Sequence, residues 1–168
     1  MKCPETNEEW RAYLTELLDV SQYMTLATTG DNGPWINPVY FSFDKTFTFY
    51  FLSQPESRHM RNITTHAAVA CAIFDPRQEA AGKVRGVQLA GKAQWVPSAE
   101  ARHAFDTYFT ATTARTPVPP RGGALAHVNE TSDWRLAKVA ADLIECFDEY
   151  CFFGTKGRVP SGLFHAQI

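Results

Sequence analysis

From residue 34 to residue 52 the chain carries aromatic side chains on both faces of what reads as one extended hairpin, and this limits its possible folds more than any other stretch. Across 34–43, Trp35, Asn37, Val39, Phe41 and Phe43 share one face, while Ile36, Pro38, Tyr40 and Ser42 share the other. Asp44-Lys45 is short enough for a hairpin turn, after which 46–52 alternates Phe47, Phe49 and Phe51 against Thr48, Tyr50 and Leu52. A hairpin with rings on both sides is expected to be covered on both sides, by a thick sheet core or by an interface. Pro38 has no N–H to give to a ladder, so it marks an edge, a bulge or a gap in pairing.

The flanking sequence supplies the other elements. Thr6 and Glu9 form a capping box, and Trp10, Tyr13, Leu14, Leu17 and Leu18 recur on one helical face, predicting a helix over about 6–20. A strand over 24–28 runs into the turn Gly30-Asp31-Asn32-Gly33. Residues 53–63 read as a short helix with Pro55 in its first turn and Met60 and Ile63 inward. Strands follow over 68–74 and 84–96, with Gly86 and Gly91 marking a bend or a close backbone approach. A helix opening at Pro97-Ser98 buries Ala101, Ala104, Phe105, Tyr108 and Phe109, and a last pair of strands spans 134–138 and 143–148 around a turn at 139–142. Residues 112–133 lose periodicity and read as a mobile loop or functional flap. The expected fold is α+β, mainly β: one domain over 1–168, built as a six-stranded antiparallel barrel with flanking helices.

Composition excludes several classes of partner. With 16 basic and 18 acidic side chains the net charge is −2, which offers no broad footprint for nucleic acid. The longest apolar run, 67–74, falls far short of the roughly 20 residues that cross a bilayer, so no membrane is expected. Cys3, Cys71, Cys146 and Cys151 show no Cys-x-x-Cys spacing, and two lie in apolar runs as buried thiols do, which fits a reducing cytoplasm. The histidines are scattered without metal spacing, so no metal site is expected.

Two stretches carry candidate chemistry. At the start of the second helix, the hydroxyls of Ser53 and Ser57 gather with the potentially cationic Arg58, His59 and Arg61 around unpaired N–H groups, an arrangement that suits a phosphate, although a capped surface helix is the commoner source of such a pattern. Energetics limit such a clamp: about three charged hydrogen bonds at about 1.5–3 kcal/mol each must offset at least about 4 kcal/mol of association cost. The rest of the ligand must then be flat and largely buried. In the strand 84–96, Gln88 either meets a ring with donor and acceptor edges in room left by Gly86, or lies on the solvent side with Gly91 at a barrel bend. Lys156 and Arg158 either close a pocket or belong to a polar tail.

Together these stretches resemble the FMN-binding split-barrel superfamily of pyridoxamine 5'-phosphate oxidase, with the likeness running from about Tyr23 to Arg158. In that superfamily a strand ending in Ser/Thr precedes a short helix with an Arg-Lys pair and then a strand with Arg-x-Val-x-x-x-Gly-x-Ala. Here Ser53, Arg58-His59 and the run from Arg85 to Ala93 correspond, and Arg85-Gly86-Val87-Gln88 with Phe153-Gly154-Thr155-Lys156 is also similar to a small uncharacterised bacterial branch. The resemblance implies a homodimer holding two flavin mononucleotides (FMN) between its subunits. It places the phosphate on Ser53, Ser57, Arg58 and His59, the isoalloxazine against the backbone of Asn37, Pro38, Val39 and Tyr40, and Gln88 near a ring edge. His59 stands where lysine is usual, which implies cofactor affinity that falls as pH rises. The oxidases themselves hold substrate with an Arg-x-His-Asp/Glu-Arg run near the C-terminus. This chain has Gly154-Thr155-Lys156-Gly157-Arg158 there, which argues against vitamin B6 oxidation and leaves a flavin-dependent oxidoreductase of another substrate, a non-catalytic flavin-binding or sensor protein, or a barrel that has lost FMN or holds another planar ligand such as haem.

Overall fold

The computed structural model describes residues 3–78, 84–115 and 133–164, with side chains described as far as residue 109 in the second segment. Helix α1 (Asn7–Asp19) starts at the Thr6 cap, where the Thr6 hydroxyl accepts from Glu9 N–H and the Glu9 carboxylate accepts from Thr6 N–H. Strands β1 (Tyr23–Gly30) and β2 (Gly33–Phe43) pair antiparallel through a tight turn in which Gly33 takes φ +80°, a conformation that favours glycine. Strand β3 (Phe49–Ser53) leads into α2 (Arg58–Thr65), then β4 (Ala68–Phe74), β5 (Arg85–Trp95), α3 (Ala101–Arg115), the long β6 (Arg135–Asp148) and the two-residue β7 (Gly157–Arg158).

The strands run β3-β2-β1-β4-β5-β6, all antiparallel, and β3 also pairs with β6, so six strands close on themselves while β7 adds to β6. Closure removes most of the free edge that is the usual hazard of an all-antiparallel sheet, and residues 33–40 of β2 keep a strand neighbour on one side. The interior is packed with Met24, Leu26, Phe41, Phe49, Phe51, Ile73, Val87, Val139 and Ile144, and α1 adds all five residues of its apolar face to the same cluster.

The aromatic hairpin is covered on both sides only where β2 pairs with β3. There Phe41, Phe49 and Phe51 point inward, while Tyr50 and Ser42 are buried on the opposite side, where α3 packs on β2 and β3 and brings Ala104 and Tyr108 against Tyr50. Earlier in β2 the outer-face side chains of Ile36 and Tyr40 stay exposed.

Three local expectations are corrected. The connection after β2 is a loop over 44–48: Asp44 accepts from the N–H groups of Thr46 (2.8 Å) and Thr48 (3.1 Å), and the buried Phe47 takes φ 53°. Its carboxylate also accepts from Tyr50 (3.1 Å) and lies 3.0 Å from His103 on α3; these contacts hold its pKa below the ordinary value despite burial, which acts the other way. Pro55 sits in the turn before α2, and Ser57 is the N-cap. The two final strands are one, since 139–142 continues the ladder with β5. The register shifts between Ala90 and Gly91, where a Cβ on Gly91 would stand 2.1 Å from the Ala140 carbonyl oxygen; Gly91 therefore marks both a bulge and a close backbone approach. Of the predicted loop 112–133, residues 112–115 continue α3, 133 precedes β6, and the rest lies outside the described residues.

Candidate functional site: a cleft beside the second helix

The site arises where β2 outruns β3. Residues 41–43 of β2 pair with β3, but residues 33–40 pair only with β1, so from Gly33 to Tyr40 β2 has a strand neighbour on one side. This is the gap in pairing that Pro38 signals. Beside it opens a cleft of about 260 Å³ lined by Asn37, Pro38, Val39 and Tyr40 on one wall and Ser53, Gln54, Ser57 and His59 on the other, with Leu52 and Trp134 completing it.

Three polar groups converge at its deep end. Ser53 Oγ lies 2.7 Å from His59 Nε2 and 3.1 Å from Ser57 Oγ, and Ser57 Oγ lies 3.3 Å from the same ring nitrogen. Ser53 and His59 are 3% and 6% exposed. Ser57 stands at the N-cap of α2 with its side chain turned into this cluster instead of capping the helix. The positive end of α2 therefore faces the cleft.

Burial holds the His59 pKa below its ordinary 6.5, so the ring is neutral at pH 7 in the free protein. An unfolded chain takes up a proton that the buried ring resists. His59 thus contributes stability that is complete above the unfolded value and is lost as pH falls below about 6.5 through the lower folded value. Denaturant melts at about pH 7.5 and about 5.5 are expected to show a lower midpoint at the acid pH, with the difference shrinking in His59→Gln. A midpoint difference unchanged by the substitution would assign it to other groups.

Arg58 and Arg61 do not join the cleft. The Arg58 guanidinium stacks 4.3 Å over the Trp35 ring and donates to the Asn32 carbonyl at 3.0 Å, bracing the β1–β2 turn. Arg61 donates to the Glu56 carbonyl. Of the expected phosphate group, Ser53, Ser57 and His59 are brought together, and Arg58 lies outside.

Gln88 belongs to a second region. It is exposed on the outer face of β5, the solvent-side alternative, and the room beside Gly86 is filled by the Phe147 ring, 2.5 Å from where a Cβ would be. Lys156 Nζ donates to Gln88 Oε1, and Lys156 and Arg158 stand 3.7 and 3.8 Å from the two oxygens of Glu145. Gln88 and Glu145 border a shallow groove of about 400 Å³ floored by Thr25, Ala27, Ala70, Ala72, Ala90 and Leu143. Trp134, Leu52 and Gln54 of the first cleft were not legible as site residues, because each sits at an element boundary where periodicity carries no information about facing.

A family model for pyridoxamine 5'-phosphate oxidase matches residues 9–134. The chain belongs to that family. The match ends before β6, so Gly154 to Arg158, the segment that departs from the oxidases' substrate run, lies beyond it. Over 91 residues the chain is 32% identical to a UPF0306 protein of Pasteurella multocida, covering 53% of this chain and 60% of that relative's length. Among solved structures, a haem-binding protein of Mycobacterium smegmatis superposes with a TM-score of 0.68 at 18% identity, over 98% of this chain and 61% of that one. A FAD-binding protein of Mesorhizobium loti superposes at 0.60 with 13% identity, over 80% and 91%. At these identities the likenesses show a shared fold alone.

Proposed function

We propose that the protein binds FMN and acts as a flavin-dependent oxidoreductase on a small planar substrate at the interface of a homodimer. The observation that carries the reading is the convergence of Ser53, Ser57 and His59 at the positive end of α2, opposite the unpaired stretch of β2. Hydroxyls, an imidazole and helix N–H groups form a donor set for a phosphate. A bound flavin supplies the electron transfer itself, so the protein has to hold it, orient it and keep water away.

The size of the cleft supports the dimer. At about 260 Å³ it falls below the roughly 300–1,000 Å³ that encloses a drug-sized ligand, so the ring system needs a further wall. A second copy is the wall we propose. The outer face of β1, β2 and β4 exposes Tyr23, Ile36, Tyr40 and Phe74, an apolar patch continuous with the alanine-floored groove. In such a dimer, Gln88 with Lys156 and Arg158 are the residues we assign to the ring side of the partner's cleft. Vitamin B6 is not the substrate we propose, because residues 154–158 lack the oxidases' Arg-x-His pattern.

Haem is disfavoured by His59, the one histidine among the described residues that line the cleft, which is 6% exposed and whose Nε2 already contacts both serines. A cytoplasmic location remains part of the proposal; among the described residues no helix is long and apolar enough to cross a membrane, and no group of three or more His, Cys, Asp and Glu gathers to hold a metal.

Purified protein tests the reading directly. A yellow dimer bleached by NADPH under anaerobic conditions is the expected result. A yellow solution that no nicotinamide or flavin reductase bleaches would leave a flavin protein without the proposed activity, and a colourless monomer that ignores added FMN would overturn the whole assignment.

A further inference from the structure

Cys3 and Cys151 form a disulfide across 148 positions of sequence, with Cα atoms 5.4 Å apart. The bond joins the arm just before the α1 cap to the turn 149–156 between β6 and β7. Elementary spacing rules cannot find such a pair. Cys71 and Cys146 are the two free thiols among the described residues, both buried, and burial pushes each thiol up to about 12. They are inert near neutral pH. Cys3 and Cys151 are only half-buried, so small thiols can reach them.

Other contacts hold the same turn against the same helix. Asp148, at its start, accepts from the N–H groups of Tyr150 (2.8 Å) and Cys151 (3.1 Å) and from the Tyr13 hydroxyl of α1 (2.6 Å). Phe152 lies flat on Trp10 at 5.7 Å and edge-on to Tyr13 at 6.2 Å, and its ring fills the space beside Gly157. At the far end of the turn stands Lys156, bonded to Gln88 and close to Glu145. The turn therefore sets where Lys156 lies, and the disulfide is its one covalent tie to α1.

We propose that Cys3–Cys151 is a reversible redox clasp that fixes the β6–β7 turn, and Lys156 with it, on the N-terminal helix. In the closing direction one cysteine thiolate attacks a low-molecular-weight disulfide and expels one thiol. The second cysteine then attacks the mixed disulfide and expels the other. Two protein thiols are oxidised to one disulfide, the small disulfide is reduced to two thiols, and the two cysteine protons end on those thiols. Excess small thiol runs the same steps backwards. Disulfides in a reducing compartment are mostly transient or sensing ones, and a half-buried pair on a surface turn has the access that this requires. With the bond open, the Asp148 and Phe152 contacts keep the turn near its place, so it loosens without unfolding the barrel.

The test is amide hydrogen exchange, read by mass spectrometry on the flavin-free chain in oxidised and in reduced glutathione, for the wild type and for Cys3→Ser, with intact mass reporting the state of the bond. Expected is exchange over 149–158 at least about tenfold faster on reduction, restored on reoxidation, fast in Cys3→Ser in both buffers, with β1 to β5 unchanged. Equal protection of 149–158 in both buffers, a bond that survives millimolar reduced glutathione, or thiols that stay open in the oxidised buffer would each overturn the proposal. Because no flavin enters the assay, the outcome stands apart from the cofactor assignment.

Discussion

Replacing Ser53 and Ser57 together by alanine is expected to weaken FMN binding by at least about 100-fold. Both hydroxyls lie within 3.3 Å of His59 Nε2 at the deep end of the cleft, where they would donate to a phosphate. A hydrogen bond to a charged group contributes about 1.5–3 kcal/mol, so two contribute about 3–6 kcal/mol, and each 1.4 kcal/mol is a factor of ten. The substitutions remove volume without adding charge, and Ser57 makes no capping bond, so α2 loses no cap. Fluorescence titration with FMN measures the effect, with circular dichroism confirming that both forms are folded. A change below about threefold would mean that these hydroxyls do not hold the phosphate. Riboflavin, which lacks the phosphate, is expected to respond little to the same substitutions.

The largest expected effect on stability comes from Asp148→Ala. Asp148 is 7% exposed, and its carboxylate gathers the Tyr13 hydroxyl and two backbone N–H groups at 2.6–3.1 Å. Burial first, and then the hydrogen bond and the negative charge of Asp148, drive the Tyr13 hydroxyl pKa far upward, so Tyr13 stays a donor at every accessible pH. Alanine leaves the three donors without this acceptor at about 1–3 kcal/mol each, for a total of about 4 kcal/mol once some reach water. For a domain of this size that lowers Tm by roughly 10 °C. Asp148→Asn keeps an acceptor and is expected to lose about half as much. Melting under oxidising conditions holds the Cys3–Cys151 bond constant during the comparison. A shift below about 3 °C for Asp148→Ala would show that the turn is held mainly by the disulfide and the Phe152 stack.

Much of the barrel was legible because its elements bury one face each. The five apolar residues of α1 recur at helical spacing and all five are buried, and the alternation in 34–43 and 49–52 follows the inside and outside of the wall. Legibility failed where the deciding contact is remote. Ala140, Ala141 and Asp142 resemble a turn because small and polar residues carry little strand signal, yet Ala140 and Ala141 pair with β5 and the strand runs on through Asp142 at the register shift. Phe47 fits the alternation of its neighbours, yet the Asp44 carboxylate organises a loop there and puts Phe47 at positive φ. Ser53, Ser57 and His59 were grouped correctly by their nearness to one helix start. The same nearness suggested Arg58, whose partners Trp35 and Asn32 come from a hairpin more than twenty positions earlier. Closure of β3 onto β6 and the Cys3–Cys151 bond are long-range facts that no local pattern contains.

The central claim is that the cleft between β2 and α2 grips the phosphate end of a flavin mononucleotide. Its most direct test is the ratio of FMN to riboflavin affinity in the unmodified protein, taken from one pair of fluorescence titrations. The account predicts that FMN binds at least about 100-fold more tightly, the difference that two charged hydrogen bonds make. Equal affinities, or no binding of either flavin, would contradict it.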